Sequence, residues 1–467
     1  MIPRKIQTEL AQLAKEYKVI TITGPRQSGK TTLAEMQFPD YDYVNLEDPE
    51  TRMLAEKDAK EFLHRHPAPV IIDEIQRLPL LLSYIQVECD KSNKKGQYIL
   101  TGSHQPALKA GISQSLAGRT AILQLLPLSI AELREAGIIM ERDEYIFKGF
   151  MPQLYEENID VTRFYRNYYM TYVERDARQL VNIKNFSAFE IFLKLLAGRI
   201  GQLVNLQSIS NDVGVSASTI SEWLSILEAS YIIFRLPPYF ENFGKRLTKS
   251  AKIYFTEVGL AAYLLDLENP EMVTRDPLMG NLFENMVVAE ALKARYNRGK
   301  DAGLYFFRDS NNMEIDLLQS AGRKLYPFEI KAARTYSNDF AKNIIRDQRT
   351  NFQCDSGLDR NSLAHSQHKL CVFSVDIFLV KQFFHSAFKR LFVIPFLIRR
   401  IPGTLCFHPE CRALFRSEVG ICWQTPESKS FNSIGQAITG RSCRQCNYRI
   451  IRKVGFFQGT GSRIICK

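Results

Sequence analysis

Cysteine is nearly absent from most of this chain. Of the nine cysteines in 467 residues, only Cys89 precedes residue 340. That count excludes a disulfide framework as the organiser of the first 340 residues and agrees with a reducing compartment. Long apolar runs are missing too. No stretch approaches the ~20 consecutive apolar residues of a membrane-spanning helix, and the richest one, Cys371–Arg400, is interrupted by Lys381, Lys389, Arg390 and Pro395. The opening MIPRKIQTELAQLAKEYKVI lacks the apolar core of a secretory signal, so the cytoplasm is the expected location. Acidic residues are scarce in the tail. Beyond residue 340 lie 20 of the 61 Lys and Arg but only 7 of the 50 Asp and Glu, leaving 41 against 43 upstream. The net charge of +11 is therefore a property of the tail, and it does not argue that the first 340 residues bind nucleic acid.

What is present begins with Lys18-Val-Ile-Thr-Ile-Thr-Gly-Pro-Arg-Gln-Ser-Gly-Lys-Thr-Thr-Leu33. A β-branched run leads into Gly24, and Gly24–Thr31 fits G-x-x-x-x-G-K-[ST] at every fixed position. Helical sequence follows from Lys30. Strand, glycine loop and helix in that order make an ATP cradle. Gly24, Pro25, Arg26, Gln27, Ser28, Gly29, Lys30, Thr31 and Thr32 are its expected residues. Backbone N–H groups and the helix N-terminus face phosphate oxygens, Lys30 adds a cation, and the Thr31 hydroxyl suits Mg²⁺. Arg26 is a second candidate for a phosphate contact.

A second apolar strand, Pro69-Val-Ile-Ile72, ends in Asp73-Glu74. Ligands of open parallel sheets bind at such strand ends. Asp73 is the expected Mg²⁺ partner, and Glu74 the base that orients the attacking water. Together GPRQSGKTT, VIIDEIQ, YILTGS (Tyr98–Ser103) and SLAGRT (Ser115–Thr120) resemble the AAA-type ATPase domain of a large prokaryotic family. Its members carry a C-terminal domain of unknown function similar to PD-(D/E)xK nucleases. The resemblance extends over roughly residues 1–335. It implies that Ser103 and His104 sense the γ-phosphate. Arg119 is the candidate arginine finger, because a guanidinium stabilises charge on a transferring phosphoryl group.

Alternating strands and helices predict a parallel sheet with helices on both faces over residues 1–150. Helical texture follows from Leu128 to Leu180, with a break at Gly149–Pro152. The Tyr- and Arg-rich segment Arg163–Leu180 is expected to pack rather than to recognise a ligand. Leu206, Ile209 and Val213, a turn at Gly214–Ser216, then Ile220, Trp223, Leu224 and Leu227 read as a helix-turn-helix, with Tyr231–Leu236 as a following strand. Residues 200–234 hold no Lys or Arg, while Asp212, Glu222 and Glu228 are acidic. DNA affinity rests largely on phosphate neutralisation, so a structural or protein-contact role is favoured there. Lys245, Arg246 and Lys249 form the nearby basic cluster.

A second set of charges lies downstream. Glu284 falls on a helix, Glu314 and Asp316 share a strand face against Met313, Ile315 and Leu317, and Glu329 and Lys331 share the next, with Phe328 and Ile330 opposite. Helix Glu, strand Asp and E-x-K resemble the PD-(D/E)xK core, a restriction-endonuclease-like α/β domain whose carboxylates hold a metal ion. In the tail, Cys406, Cys411, Cys443 and Cys446 have zinc-ribbon spacing, against the alternative of a tail with no native fold. The expected division is an ATPase domain over 1–150, a helical and winged-helix region over 151–244, a nuclease-like domain over 245–340 and a basic tail over 341–467. Three functions compete: an ATPase that rearranges its C-terminal domains, a nucleotide-switched module binding DNA or protein, and an ATP-controlled nuclease. The oligomeric state is left open.

Overall fold

The computed structural model describes residues 1–103, 111–112, 114–173, 186–240, 250–308, 314–322 and 324–333, with short strands at Cys371–Phe373, Thr404–Phe407 and Arg463–Cys466. Two compact units divide the chain, Met1–Phe392 and Val393–Lys467. In the second unit, Thr404–Phe407 pairs in parallel with Arg463–Cys466. Of the zinc-ribbon candidates, Cys411, Cys443 and Cys446 lie outside the described residues, and only the backbone of Cys406 falls on a described strand. His104 and the basic cluster Lys245, Arg246 and Lys249 also lie outside them.

The first unit opens with α1 (Gln7–Glu16), β1 (Val19–Thr23), α2 (Lys30–Gln37), β2 (Asp42–Asn45), α3 (Pro49–Lys57), α4 (Ala59–Arg65), β3 (Val70–Asp73), α5 (Leu81–Asp90), β4 (Tyr98–Gly102) and β5 (Thr120–Gln124). The five strands form one sheet in the order β2-β3-β4-β1-β5, parallel at every pairing. Alternation along each strand explains why both faces are covered. Ile20, Ile22, Ile71 and Ile99 meet Leu10, Leu33 and Ala34 of α1 and α2. Val19, Val70, Ile72, Tyr98 and Leu100 meet Phe62, Leu82 and Ile85 from α4 and α5. Full burial of each such aliphatic side chain contributes about 1.5–3 kcal/mol. The expected parallel sheet with helices on both faces is present, and its strand ends at Thr23, Asp73 and Gly102 lie along one edge.

Short helices follow: α6 (Ile130–Glu135), α7 (Arg142–Lys148), α8 (Gln153–Glu156), α9 (Val161–Tyr168) and α10 (Phe186–Ala197). Ser129 and Glu132 form a reciprocal cap that starts α6. Next come α11 (Leu206–Val213) and α12 (Ala217–Ala229), capped by Asn205 and Ser216. They lead into β6 (Ile233–Leu236), which pairs antiparallel with β7 (Lys252–Phe255). Trp223 of α12 lies edge-on to Phe189 of α10 at 5.2 Å between ring centroids. Phe164, Tyr165 and Tyr168 are buried, so this described part of the Tyr-rich segment packs, as expected.

Helices α13 (Val258–Leu264), α14 (Pro270–Arg275) and α15 (Met279–Tyr296) precede a second sheet of β8 (Leu304–Arg308), β9 (Glu314–Ala321), β10 (Lys324–Ile330) and Cys371–Phe373. One hydrophobic core runs from Leu126 through these elements to Ile330. The expected alternation along β9 is only partly realised. Tyr305 pairs with Leu318 but Phe307 with Ile315, so β9 carries an extra residue at a bulge. Ile315 therefore packs with Leu318, whereas Leu317 joins the main core. No helix among the described residues is long and apolar enough to cross a membrane.

Candidate nucleotide-binding site

The loop from Gly24 to Gly29 leaves β1 and enters α2 at the sheet's C-terminal edge. A Cβ at Gly24 would lie 2.0 Å from the Leu125 carbonyl oxygen, and Gly29 has φ +86°, so each position needs glycine for its own reason. The Lys30 side chain is buried and its ammonium donates to the carbonyls of Pro25 (2.8 Å) and Gly24 (3.2 Å). Ser28 Oγ is buried with no hydrogen-bond partner among the described residues. An unpaired buried hydroxyl costs free energy unless a ligand meets it.

Beside the loop, the Thr31 hydroxyl donates to Asp73 Oδ2 at 2.9 Å. The Tyr43 hydroxyl donates to the same oxygen at 3.0 Å, and Thr101 donates to Oδ1. Burial, followed by the Asp73 charge, pushes the Tyr43 hydroxyl well above its usual range, so it remains a donor. Glu74 follows Asp73 in the left-handed region at φ +56°, which turns it off the strand line. Gln76 donates both to Glu74 Oε2 and, at 3.0 Å, to Ser103 Oγ. The fold thus gathers Lys30, Thr31, Asp73, Glu74 and Ser103 at one edge.

Arg119 is not among them. Its guanidinium forks onto Asp90 at 2.7 and 2.9 Å, and its carbonyl accepts from the amide of Val19 at the start of β1. That is the opposite end of the strand from Gly24, about 16 Å away at strand rise. Arg26, the other candidate cation, is half-buried within the loop.

Sequence reasoning missed the support behind the loop. Arg4 is buried and spends its guanidinium on three acceptors: Ser28 O at 2.8 Å, Leu126 O at 2.6 Å and Glu132 Oε1 at 3.1 Å. Burial alone would raise the Glu132 carboxyl, but Arg4 and the amides of Ser129 and Lys5 outweigh it and hold the group below its usual range. Thr23, the residue before Gly24, lies 3.1 Å from the hydroxyl of Tyr231, in the turn after α12. A lone arginine near the start and a tyrosine two hundred residues away carry no local signal. Gln76 and Thr101 lie inside the VIIDEIQ and YILTGS motifs.

The second charge cluster also assembles. Lys331 bridges Asp316 (3.2 Å) and Glu329 (2.8 Å). Lys252, from β7, bridges Glu284 (3.3 Å) and Glu314 (2.6 Å), and the Tyr254 hydroxyl donates to Glu284 at 2.5 Å. Phe328 and Ile330 face the core, as expected. Lys252 was missed because a single lysine in KIYF reads as an ordinary strand residue.

Parallel sheet, glycine loop and the Thr31–Asp73 pair define a P-loop nucleotide-binding domain. Residues 16–134 match the family model described as an AAA domain, which makes ATP its expected ligand and nucleoside triphosphate hydrolysis its expected chemistry. Residues 140–271 and 279–361 match two models each described as a domain of unknown function, DUF8612 and DUF4143. An uncharacterized protein of Mycobacterium tuberculosis is 29% identical over 339 residues, 72% of this chain and 75% of its own. One from Haemophilus influenzae is 23% identical over 321 residues, 62% of this chain and 78% of its own. Among solved structures, AMPPCP-bound DnaA from Aquifex aeolicus aligns over 48% of this chain and 85% of its own at 17% identity, with a TM-score of 0.23.

Proposed function

We propose that this protein is an Mg²⁺-dependent ATPase of AAA type whose hydrolysis cycle rearranges the region that follows the P-loop domain. The 2.9 Å contact between Thr31 Oγ1 and Asp73 Oδ2 carries the reading. A hydroxyl and a carboxylate in contact beside the loop match the way Mg²⁺ binds, through one or two protein oxygens together with phosphate. When bound, the ion supplies charge neutralisation to the phosphates. The Gly24–Thr32 loop holds the triphosphate, with Ser28 Oγ as one of its donors, and Lys30 exchanges the carbonyls of Gly24 and Pro25 for phosphate oxygens. Glu74 orients the attacking water, and Gln76 fixes Glu74 and Ser103 relative to each other. Arg119 can act as a finger only on a neighbouring copy, given its place beside Asp90.

The domain division at about residues 150, 244 and 340 belongs to this reading, as does a winged-helix role for α11, α12 and the β6–β7 ladder. Their target is a protein rather than DNA: the exposed side chains of α12, Ser218, Ser221, Glu222, Ser225 and Glu228, include no cation. Zinc at Cys406, Cys411, Cys443 and Cys446 is tested by elemental analysis of the full chain.

The central test pairs two variants. Lys30→Ala should abolish binding of a fluorescent ATP analogue. Glu74→Gln should bind it normally and turn ATP over at least ~100-fold more slowly, the low end of what a positioned general base supplies. Equal ATP affinity in Lys30→Ala and wild type would remove the basis of the proposal.

A further inference from the structure

The nuclease-like cluster raises a question that the ATPase reading does not touch. Glu284, Glu314, Asp316 and Glu329 converge from α15, β9 and β10. Such a set invites a divalent cation, yet each carboxylate already has one oxygen on a lysine ammonium. Glu284 Oε1 receives Lys252 Nζ and the Tyr254 hydroxyl. Asp316 Oδ2 receives Lys331 Nζ at 3.2 Å and the Ile330 amide at 2.8 Å. Glu329 Oε1 receives Lys331 Nζ. Among these cations Lys252 is distinctive. E-x-K accounts for Lys331, whereas Lys252 enters from the ladder beside α12 and is 4% exposed. Its ammonium lies between Glu284 and Glu314 and 5.5 Å from the Phe306 ring centroid.

We infer that the Lys252 ammonium occupies the cation position of this carboxylate cluster, so that the native chain holds an internal ion-pair network there in place of a divalent metal ion. Lys252 is tethered by a buried strand and its side chain is 5% exposed, so a metal would have to displace a charge already held between two carboxylates. Burial works against the charged ammonium, but Glu284 and Glu314 outweigh it and hold Lys252 above its ordinary range. Glu329 Oε2 remains buried without a hydrogen-bond partner among the described residues, an oxygen that the two lysines leave over. Once Lys252 is removed, the freed carboxylates of Glu284 and Glu314 would leave a cation site of hard oxygen donors.

Mn²⁺ titration of the full chain, followed by calorimetry and by loss of the free-ion paramagnetic resonance signal, decides this. ATP is omitted so that the P-loop site contributes nothing. Wild type should take up no Mn²⁺ at this cluster below about 1 mM, a weak-binding threshold. Lys252→Met should bind about one equivalent at least tenfold more tightly than wild type, and Lys252→Met with Glu284→Gln should lose it. One equivalent bound by wild type at micromolar concentration, abolished by Glu284→Gln, would overturn the inference even if Lys252→Met failed to fold. Folded Lys252→Met with no gain in Mn²⁺ affinity would overturn it equally.

Discussion

The hydroxyls of Thr23 and Tyr231 lie 3.1 Å apart, joining the residue before the glycine loop to the turn after α12. Thr23 also donates to the Leu123 carbonyl at 3.3 Å, and either hydroxyl can donate within the Thr23–Tyr231 pair. Tyr231 is held at φ +58°, an unusual conformation for a bulky residue, and burial pushes its hydroxyl up to about 12, so it stays protonated at neutral pH. This contact links the residue before the glycine loop directly to the turn that follows α12.

Tyr231→Phe should therefore separate two quantities. One buried neutral hydrogen bond is worth about 0.5–1.5 kcal/mol, so the fold should survive with a modest fall in melting temperature. ATP affinity should change less than threefold, whereas the nucleotide-dependent change in amide exchange across α12 should be lost. Unaltered exchange changes in Tyr231→Phe would place the coupling elsewhere.

Arg4 gives a second prediction. Replacing it by Met strands the buried Glu132 carboxylate and frees the carbonyls of Ser28 and Leu126. Breaking a buried pair by removing one member costs about 3–5 kcal/mol. Arg4→Lys keeps the charge but cannot span three acceptors, so it should rescue much of the stability and little of the loop geometry. The expected pattern in thermal melts and ATP titrations is near-wild-type melting with weaker nucleotide binding for Arg4→Lys, and loss of both for Arg4→Met.

These contacts mark where the sequence could and could not be read. Loops and strand ends within the P-loop domain follow from local order, because phosphate binding requires glycine, lysine and threonine at fixed spacing. The position of Asp73 and Glu74 at the end of β3 is legible from the apolar run Val70–Ile72 that precedes them. Arg4, Lys252 and Tyr231 act across 24 or more residues of chain, and nothing in their neighbours announces it. Arg119 stands apart for a different reason: its motif places it just before β5 but does not say which end of the sheet the guanidinium serves, and the structure pairs it with Asp90. The bulge in β9 likewise defeats strict two-residue alternation, which assumes an unbroken ladder.

Glu329 provides a pH prediction. Burial, reinforced by Asp316, pushes its carboxyl up to about 7 against the opposing pull of Lys331. The unfolded chain releases this proton near the ordinary glutamate value of ~4.3. Between those values the folded state holds more protons, so stability falls as pH rises through the window. The contribution is intact below about pH 4.3 and gone above about pH 7. Thermal melts should show Glu329→Gln gaining on wild type from pH 5 to pH 8. A difference that stays constant across that range would mean that Glu329 is ionised throughout.

The exposed side of α12 supplies the last prediction. Ser218, Ser221, Glu222, Ser225 and Glu228 face solvent, and Arg235, the nearest described cation of the following strand, is paired with Glu228 at 3.2 Å. A helix reading DNA must bring cations to phosphates, each of which steepens the salt dependence by nearly one unit of log–log slope. Any duplex affinity of the full chain should then come from the basic residues beyond 340 and from Lys245, Arg246 and Lys249. Anisotropy with a labelled duplex at 50 and 200 mM salt should give a steep slope with little sequence preference. Ser218→Ala, Thr219→Ala and Ser221→Ala should leave both affinity and slope unchanged. Sequence-selective binding that these variants abolish would make α12 a base-reading helix and overturn the protein-contact role assigned to it.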